Sequence, residues 1–222
     1  MGIIQDKLRE LLVAQLEKEG IGDKRVLEAI GKIRRENFVI DEMKKYAYDN
    51  IALPLEGNQT ISQPFTVAFM TQLLDVRKDD KVLEVGTGSG YQSAVIKELG
   101  ADVYTVERIE QLYKKAKQTL TSIGYEIHFR CGDGTLGWKE FAPFDRIIVT
   151  AGAPQVPREL LLQLKPGGKL VIPVGSKSAQ ELFLVERSLQ DSPDDEPLYS
   201  RAKYFDFKFV PLIGEEGWKE IN

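Results

Sequence analysis

The sequence predicts one α/β domain built on a mostly parallel, doubly wound sheet, with a helical extension in front of it. Three observations carry this. From residue 79 onward, short apolar runs alternate with stretches of helical period, the arrangement that joins parallel strands through covering helices. Val82-Leu83-Glu84-Val85 runs directly into Gly86-Thr87-Gly88-Ser89-Gly90-Tyr91, which reads as strand, glycine turn and helix start. The 222 residues are 42% apolar, enough for a sizeable core, and no segment repeats another.

Residues 1–75 form the extension and the loop that follows it. Ile4, Leu8, Leu11, Leu12 and Leu16 recur near helical spacing, so an amphipathic helix is expected over 3–19, ended by Gly20. A second helix follows Asp23, with Val26, Leu27, Ile30 and Ile33 as its apolar stripe. The period is lost from Phe38 to Pro54, and a loop from Ile51 to Gln59 leads into Thr60-Ile61-Ser62-Gln63-Pro64. Serine ahead of Gln-Pro and the apolar residues Val67, Phe69, Met70, Leu73 and Leu74 is the pattern of an N-cap, so capping is the plainest role of Ser62.

Residues 79–222 form the core. After the glycine turn, Ala94, Val95, Ile96 and Leu99 pack a helix stopped by Gly100, and Val103–Val106 is a strand ending at Glu107. Leu112, Ala116 and Leu120 mark the next helix. Ile127–Arg130 is a third strand running into Cys131-Gly132-Asp133-Gly134, and Arg146–Thr150 a fourth. A short helix over 160–164 and the turn Lys165-Pro166-Gly167-Gly168 precede a fifth strand over 169–174. Runs around Leu182–Val185 and Tyr204–Val210, with no helix between them, predict an antiparallel strand at one edge. Ser188–Pro197 reads as a polar loop joining them.

With 30 basic and 34 acidic residues the net charge is −4, which offers no general attraction to nucleic acid or to anionic membranes. The first twenty residues lack the apolar centre of a signal peptide and no run reaches spanning length, so a cytoplasmic location is expected; the expected state, a monomer, has no sequence feature behind it. One cysteine, Cys131, excludes an internal disulfide, and one histidine, His128, leaves little for a zinc site or a histidine-based triad. His128 is expected as a partly buried structural residue of the third strand, and Cys131 as a small apolar group at the pocket edge.

In open parallel sheets the ligand lies beyond the carboxyl ends of the strands, here Gly86 to Gly90, Glu107, Asp133 and Thr150. Glu107 is suited to accept from ribose hydroxyls, and Asp133 from an exocyclic adenine amine. A dinucleotide fingerprint needs a glycine where Tyr91 stands. Glycines at 86, 88 and 90 instead resemble the first motif of S-adenosylmethionine-dependent methyltransferases, with NAD as the alternative cofactor.

Several segments together resemble the bacterial protein-L-isoaspartate O-methyltransferases. They are Gln59–Pro64, Val82–Gln92, Tyr104–Arg108, Gly132–Gly134, Phe144–Ala151, Leu164–Gly168 and Phe209–Leu212, within a likeness that runs from about residue 3 to Gly217. The resemblance implies a Rossmann-like class I methyltransferase. Its reaction would move the methyl of S-adenosylmethionine to the free α-carboxylate of L-isoaspartyl residues, and by extension D-aspartyl residues, in damaged proteins and peptides. The ester then collapses to a succinimide that can reopen to normal aspartate. Ser62 is then the active-site residue beside the reacting carboxylate, Thr60 and Ile61 line the substrate loop, and Val210, Pro211 and Leu212 supply backbone contacts to the peptide. Glu84, Gly86, Thr87, Gly88, Ser89, Gly90, Glu107, Arg108, Asp133, Gly134 and Thr150 hold the cofactor, and no metal is implied. Arg34–Phe38 departs from a Val-Pro-Arg-Glu-like run of many members and reads as a tolerated surface change.

The chemistry asks little of the side chains. A carboxylate with a pKa of roughly 4 is already ionised at neutral pH, so the acceptor needs no general base. A neutral thioether leaves without a general acid, so the lack of a suitable histidine does not count against catalysis. Ser62 would orient the acceptor by donating its hydroxyl hydrogen. Two rival readings are a methyltransferase of the same fold acting on a small molecule or RNA, and a non-catalytic adaptor that binds without transfer.

Overall fold

The computed structural model describes residues 2–189 and 197–220, so the expected polar loop lies, over 190–196, outside the described residues. Helix α1 (Gly2–Lys18) is followed by α2 (Lys24–Lys32), which Asp23 caps by accepting the Arg25 N–H at 2.9 Å. In α2, Val26, Leu27 and Ile30 are buried as expected, but α1 buries only the end of its stripe. Leu12 and Leu16 enter the core, whereas Ile4, Leu8 and Leu11 stay exposed.

A two-stranded hairpin, β1 (Leu53–Pro54) and β2 (Thr60–Ile61), brackets the loop ahead of α3 (Pro64–Leu74). The core then runs β3 (Lys81–Val85), α4 (Tyr91–Glu98), β4 (Asp102–Glu107), α5 (Glu110–Ser122), β5 (His128–Cys131), β6 (Phe144–Val149), α6 (Arg158–Leu162), β7 (Leu164–Gly175), β8 (Gln180–Arg187) and β9 (Tyr199–Phe207). Seven strands lie in the order β5-β4-β3-β6-β7-β8-β9. The first five are parallel, and β8 is antiparallel to both of its neighbours. The antiparallel strand therefore sits one place in from the edge, with β9 covering it. Lys165–Gly168 forms a bulge within β7, since Phe144 pairs with Leu164 and Arg146 with Lys169.

Alternate residues of each strand face opposite layers, as the period of two requires. Val82, Val103, Ile148 and Val171 pack under α3 and α4, while Leu83, Val85, Ile147 and Ile172 pack on the side of α6. After β3, the chain moves outward through β4 and β5 and then returns to the other flank of β3. That reversal opens a crevice at the carboxyl end of β3. No helix among the described residues is long and apolar enough to cross a membrane.

The edge position of β5 corrects two expectations. His128 is exposed, stacked on Tyr104 with ring centres 4.3 Å apart and bonded to Asp102 at 3.2 Å. Cys131 is also exposed and does not line the crevice. Arg34–Phe38 is a surface run only in part, since Arg34 and Asn37 are exposed but Arg35 and Phe38 are buried.

Candidate active site

The turn after β3 is shaped by its glycines. Gly86 has φ +97° and passes Thr150 so closely that a Cβ would lie 2.4 Å from Thr150 Oγ1, which itself donates to the Gly86 carbonyl at 2.6 Å. At Gly88, φ is +54° and a Cβ would meet no protein atom within 4 Å. The chain has left that space open on the cleft side. Ser89 Oγ accepts the Tyr91 N–H at 3.2 Å, holding the start of α4.

Glu107, nearly buried at the end of β4, fastens this turn. Its Oε2 accepts the Gly88 N–H at 2.8 Å and its Oε1 the Ile109 N–H at 2.9 Å, and each oxygen keeps a further lone pair. Below the turn lies a buried polar relay. Ser93 Oγ and Thr105 Oγ1 both donate to Glu84 Oε2, the latter at 2.7 Å, and Thr105 Oγ1 meets Thr87 Oγ1 at 2.6 Å. Because the Thr105 proton is spent on Glu84, Thr87 is the donor in the last pair. Burial, with some repulsion from Glu107, pushes the Glu84 carboxyl up to about 7 against the pull of its two hydroxyl donors.

Across the crevice stands Ser62. Helix α3 begins at Pro64 with Gln63 as its N-cap residue, and no side chain of its own segment caps it. Asn50 Oδ1 does that work, accepting the Phe65 N–H at 2.9 Å, while Gln63 Nε2 donates to the Asn50 carbonyl at 2.9 Å. This corrects the capping role expected of Ser62. Its hydroxyl has no partner among the described residues, and the residue lines the crevice. The third wall is Val210–Leu212, which crosses the strand ends. Gly152 N–H donates to the Val210 carbonyl and Leu212 N–H to the Gly152 carbonyl, both at 2.8 Å. The Val210 N–H and the Pro211 carbonyl have no protein partner among the described residues.

One crevice thus gathers Thr60, Ile61, Ser62, Gly86, Thr87, Gly88, Ser89, Glu107, Arg108, Gly134, Thr150, Val210, Pro211 and Leu212. Three expected residues lie elsewhere. Glu84 is fully buried beneath the turn, and Gly90 turns its α-carbon toward Leu120 of α5. Asp133 lines a shallow neighbouring cleft, its carboxylate taken by Thr135 N–H and Oγ1 and by Glu215 N–H. Gln59, Val67, Val85, Tyr91, Gln92, Val106, Ile109, Leu112, Ala151 and Ile213 complete the lining. Ile109 had a readable signal, two residues past a strand-end carboxylate. Leu112 had none, because its spacing is that of an ordinary core position.

The chain matches the family model described as protein-L-isoaspartate(D-aspartate) O-methyltransferase over residues 7–217. The chain belongs to the protein-L-isoaspartate O-methyltransferase family. A protein-L-isoaspartate O-methyltransferase of Salinibacter ruber (strain DSM 13855 / M31) is 48% identical over 216 residues, covering 94% of this chain and 92% of the relative. A solved protein-L-isoaspartate O-methyltransferase is 31% identical with a TM-score of 0.84, covering 94% of this chain and 67% of that one. A Plasmodium falciparum structure in complex with S-adenosyl-L-homocysteine superposes with a TM-score of 0.78 at 22% identity, covering 92% of this chain and 98% of that one, a likeness of fold. The seven-stranded sheet and N-terminal helices described above are the form this family's methyltransferase fold takes here.

Proposed function

We propose that the chain methylates the free α-carboxylate of L-isoaspartyl residues in damaged proteins and peptides, with S-adenosylmethionine as donor and S-adenosyl-L-homocysteine as product. The observation that carries this reading is that Ser62 and the glycine turn, which belong to different segments, line one crevice. When bound, S-adenosylmethionine supplies an electrophilic methyl on a sulfonium. The chain's residues fit it. The open space beside Gly88 admits a ligand against the backbone, and the free lone pairs of Glu107 suit two ribose hydroxyls.

The remaining residues work by placement. Ser62 donates its unengaged hydroxyl to one acceptor oxygen, and the free Val210 N–H and Pro211 carbonyl suit the backbone of an extended peptide. Holding acceptor and donor in line contributes about 7–11 kcal/mol when the geometry is good, with no proton to move. The reading extends to a cytoplasmic monomer acting on peptide and not on nucleic acid, for which the net charge of −4 offers no general attraction.

Labelled S-adenosylmethionine and a matched pair of isoaspartyl and aspartyl peptides test this. A base-labile methyl ester is expected on the isoaspartyl peptide alone. Cofactor binding without any such ester would reject the reading, and transfer to RNA or a small molecule instead would replace the acceptor.

A further inference from the structure

Arg35 is fully buried and reaches two segments that line the crevice. On one side its guanidinium holds the acceptor loop. Nη1 donates to the Ala47 carbonyl at 2.7 Å, and Nη2 donates to the carbonyls of Ile51 at 3.2 Å and Ser62 at 3.1 Å. On the other side the guanidinium carbon lies 5.6 Å from the ring centre of Tyr91, the first residue of α4 directly after the glycine turn. One side chain therefore touches both the segment that carries Ser62 and the helix that follows the donor's turn.

Its surroundings are unusual for a cation. No carboxylate forms an ion pair with it among the described residues, and its Nε has no hydrogen-bond partner there. Asp49 acts on it only at longer range. Burying a charge on carbonyls and an aromatic face is costly, and an apolar side chain of the same length would fill the space but leave the three carbonyls without this donor. Packing alone does not call for arginine here. A planar fork that reaches three carbonyls from separate turns does.

We propose that Arg35 is a positioning residue for methyl transfer. It fixes the Ser62 backbone, and with it the acceptor carboxylate, against the helix that follows the glycine turn. The proposal rests on the reading of Ser62 as the acceptor site.

Arg35→Lys and Arg35→Met in the full chain test it, with melting midpoint, cofactor Kd, and kcat and KM on an isoaspartyl peptide measured for each. Lysine keeps the charge and part of the donor set, and methionine keeps only the bulk. Cofactor Kd is expected to stay within about threefold while kcat/KM falls about a hundredfold in Arg35→Met and about tenfold in Arg35→Lys. A side chain that merely fills space gives the opposite order, since methionine is the better filler. Arg35→Met as active as Arg35→Lys, per folded molecule, overturns the proposal. Should Arg35→Met not fold, Arg35→Lys decides alone, a loss of more than about fivefold at unchanged cofactor affinity supporting the proposal and a smaller loss overturning it. Wild type without isoaspartyl activity would instead reject the acceptor reading, and this proposal with it.

Discussion

The side-chain oxygen of Asn50 accepts the Phe65 N–H at 2.9 Å, so α3 is capped from a preceding loop and the Ser62 hydroxyl is left to the crevice. Stability and activity should therefore separate. Asn50→Ala is expected to cost about 1 kcal/mol, the ordinary worth of an N-cap. Ser62→Ala should stay within about 0.5 kcal/mol of wild type. Urea titration of the two variants checks this, and a larger loss in Ser62→Ala would mean that the serine has a structural partner.

Gly86 and Gly88 call for different consequences of the same substitution. Gly86→Ala would drive a Cβ to 2.4 Å from Thr150 Oγ1 at φ +97°, and a loss of stability of about 1–3 kcal/mol is expected. Gly88→Ala meets no protein atom and should cost only about 1–2 kcal/mol for its left-handed backbone. It places a methyl in the space assigned to the donor, however. Calorimetric titration with S-adenosyl-L-homocysteine should show affinity lost in folded Gly88→Ala, and unchanged affinity would remove that turn from the donor site.

Glu84 makes stability depend on pH. Its carboxyl is raised from the ordinary 4.5 to about 7, so over that interval the folded chain binds more protons than the unfolded one. The stability this contributes is complete below about pH 4.5 and is lost as pH rises through about 7. Glu84→Gln keeps a neutral group there and lacks the slope. The stability of wild type minus that of the variant should fall by something on the order of 3 kcal/mol between about pH 4.5 and about pH 8. Parallel curves for the two proteins would show that Glu84 is not protonated in the fold.

What could be read from sequence was mostly local. The glycine turn, Glu107 and Thr150 are set by strand ends a few residues long, and all line the crevice. Positions governed by distant partners were not legible. The cap from Asn50 comes from 15 residues upstream, and the bond from Arg35 to Ser62 spans 27 residues, so within a polar run resembling surface Arg35 is in fact buried. Asp133 ends its strand as expected, yet the turn at Glu215, far along the chain, takes up its carboxylate. The exposed residues of α1 misled for a related reason, because periodicity reports an apolar face and not what covers it.

The division of labour between the glycine turn and the Ser62 loop is tested most directly by measuring cofactor Kd and isoaspartyl-peptide kcat on Glu107→Ala and Ser62→Ala side by side. Losing one charge-assisted or orienting hydrogen-bond set corresponds to about 10- to 100-fold. Glu107→Ala should weaken cofactor binding by that factor with kcat at saturation little changed. Ser62→Ala should lower kcat by a similar factor with cofactor Kd unchanged. The reverse pattern, with Ser62→Ala losing the cofactor and Glu107→Ala losing turnover, would contradict the assignment of donor and acceptor to these two elements.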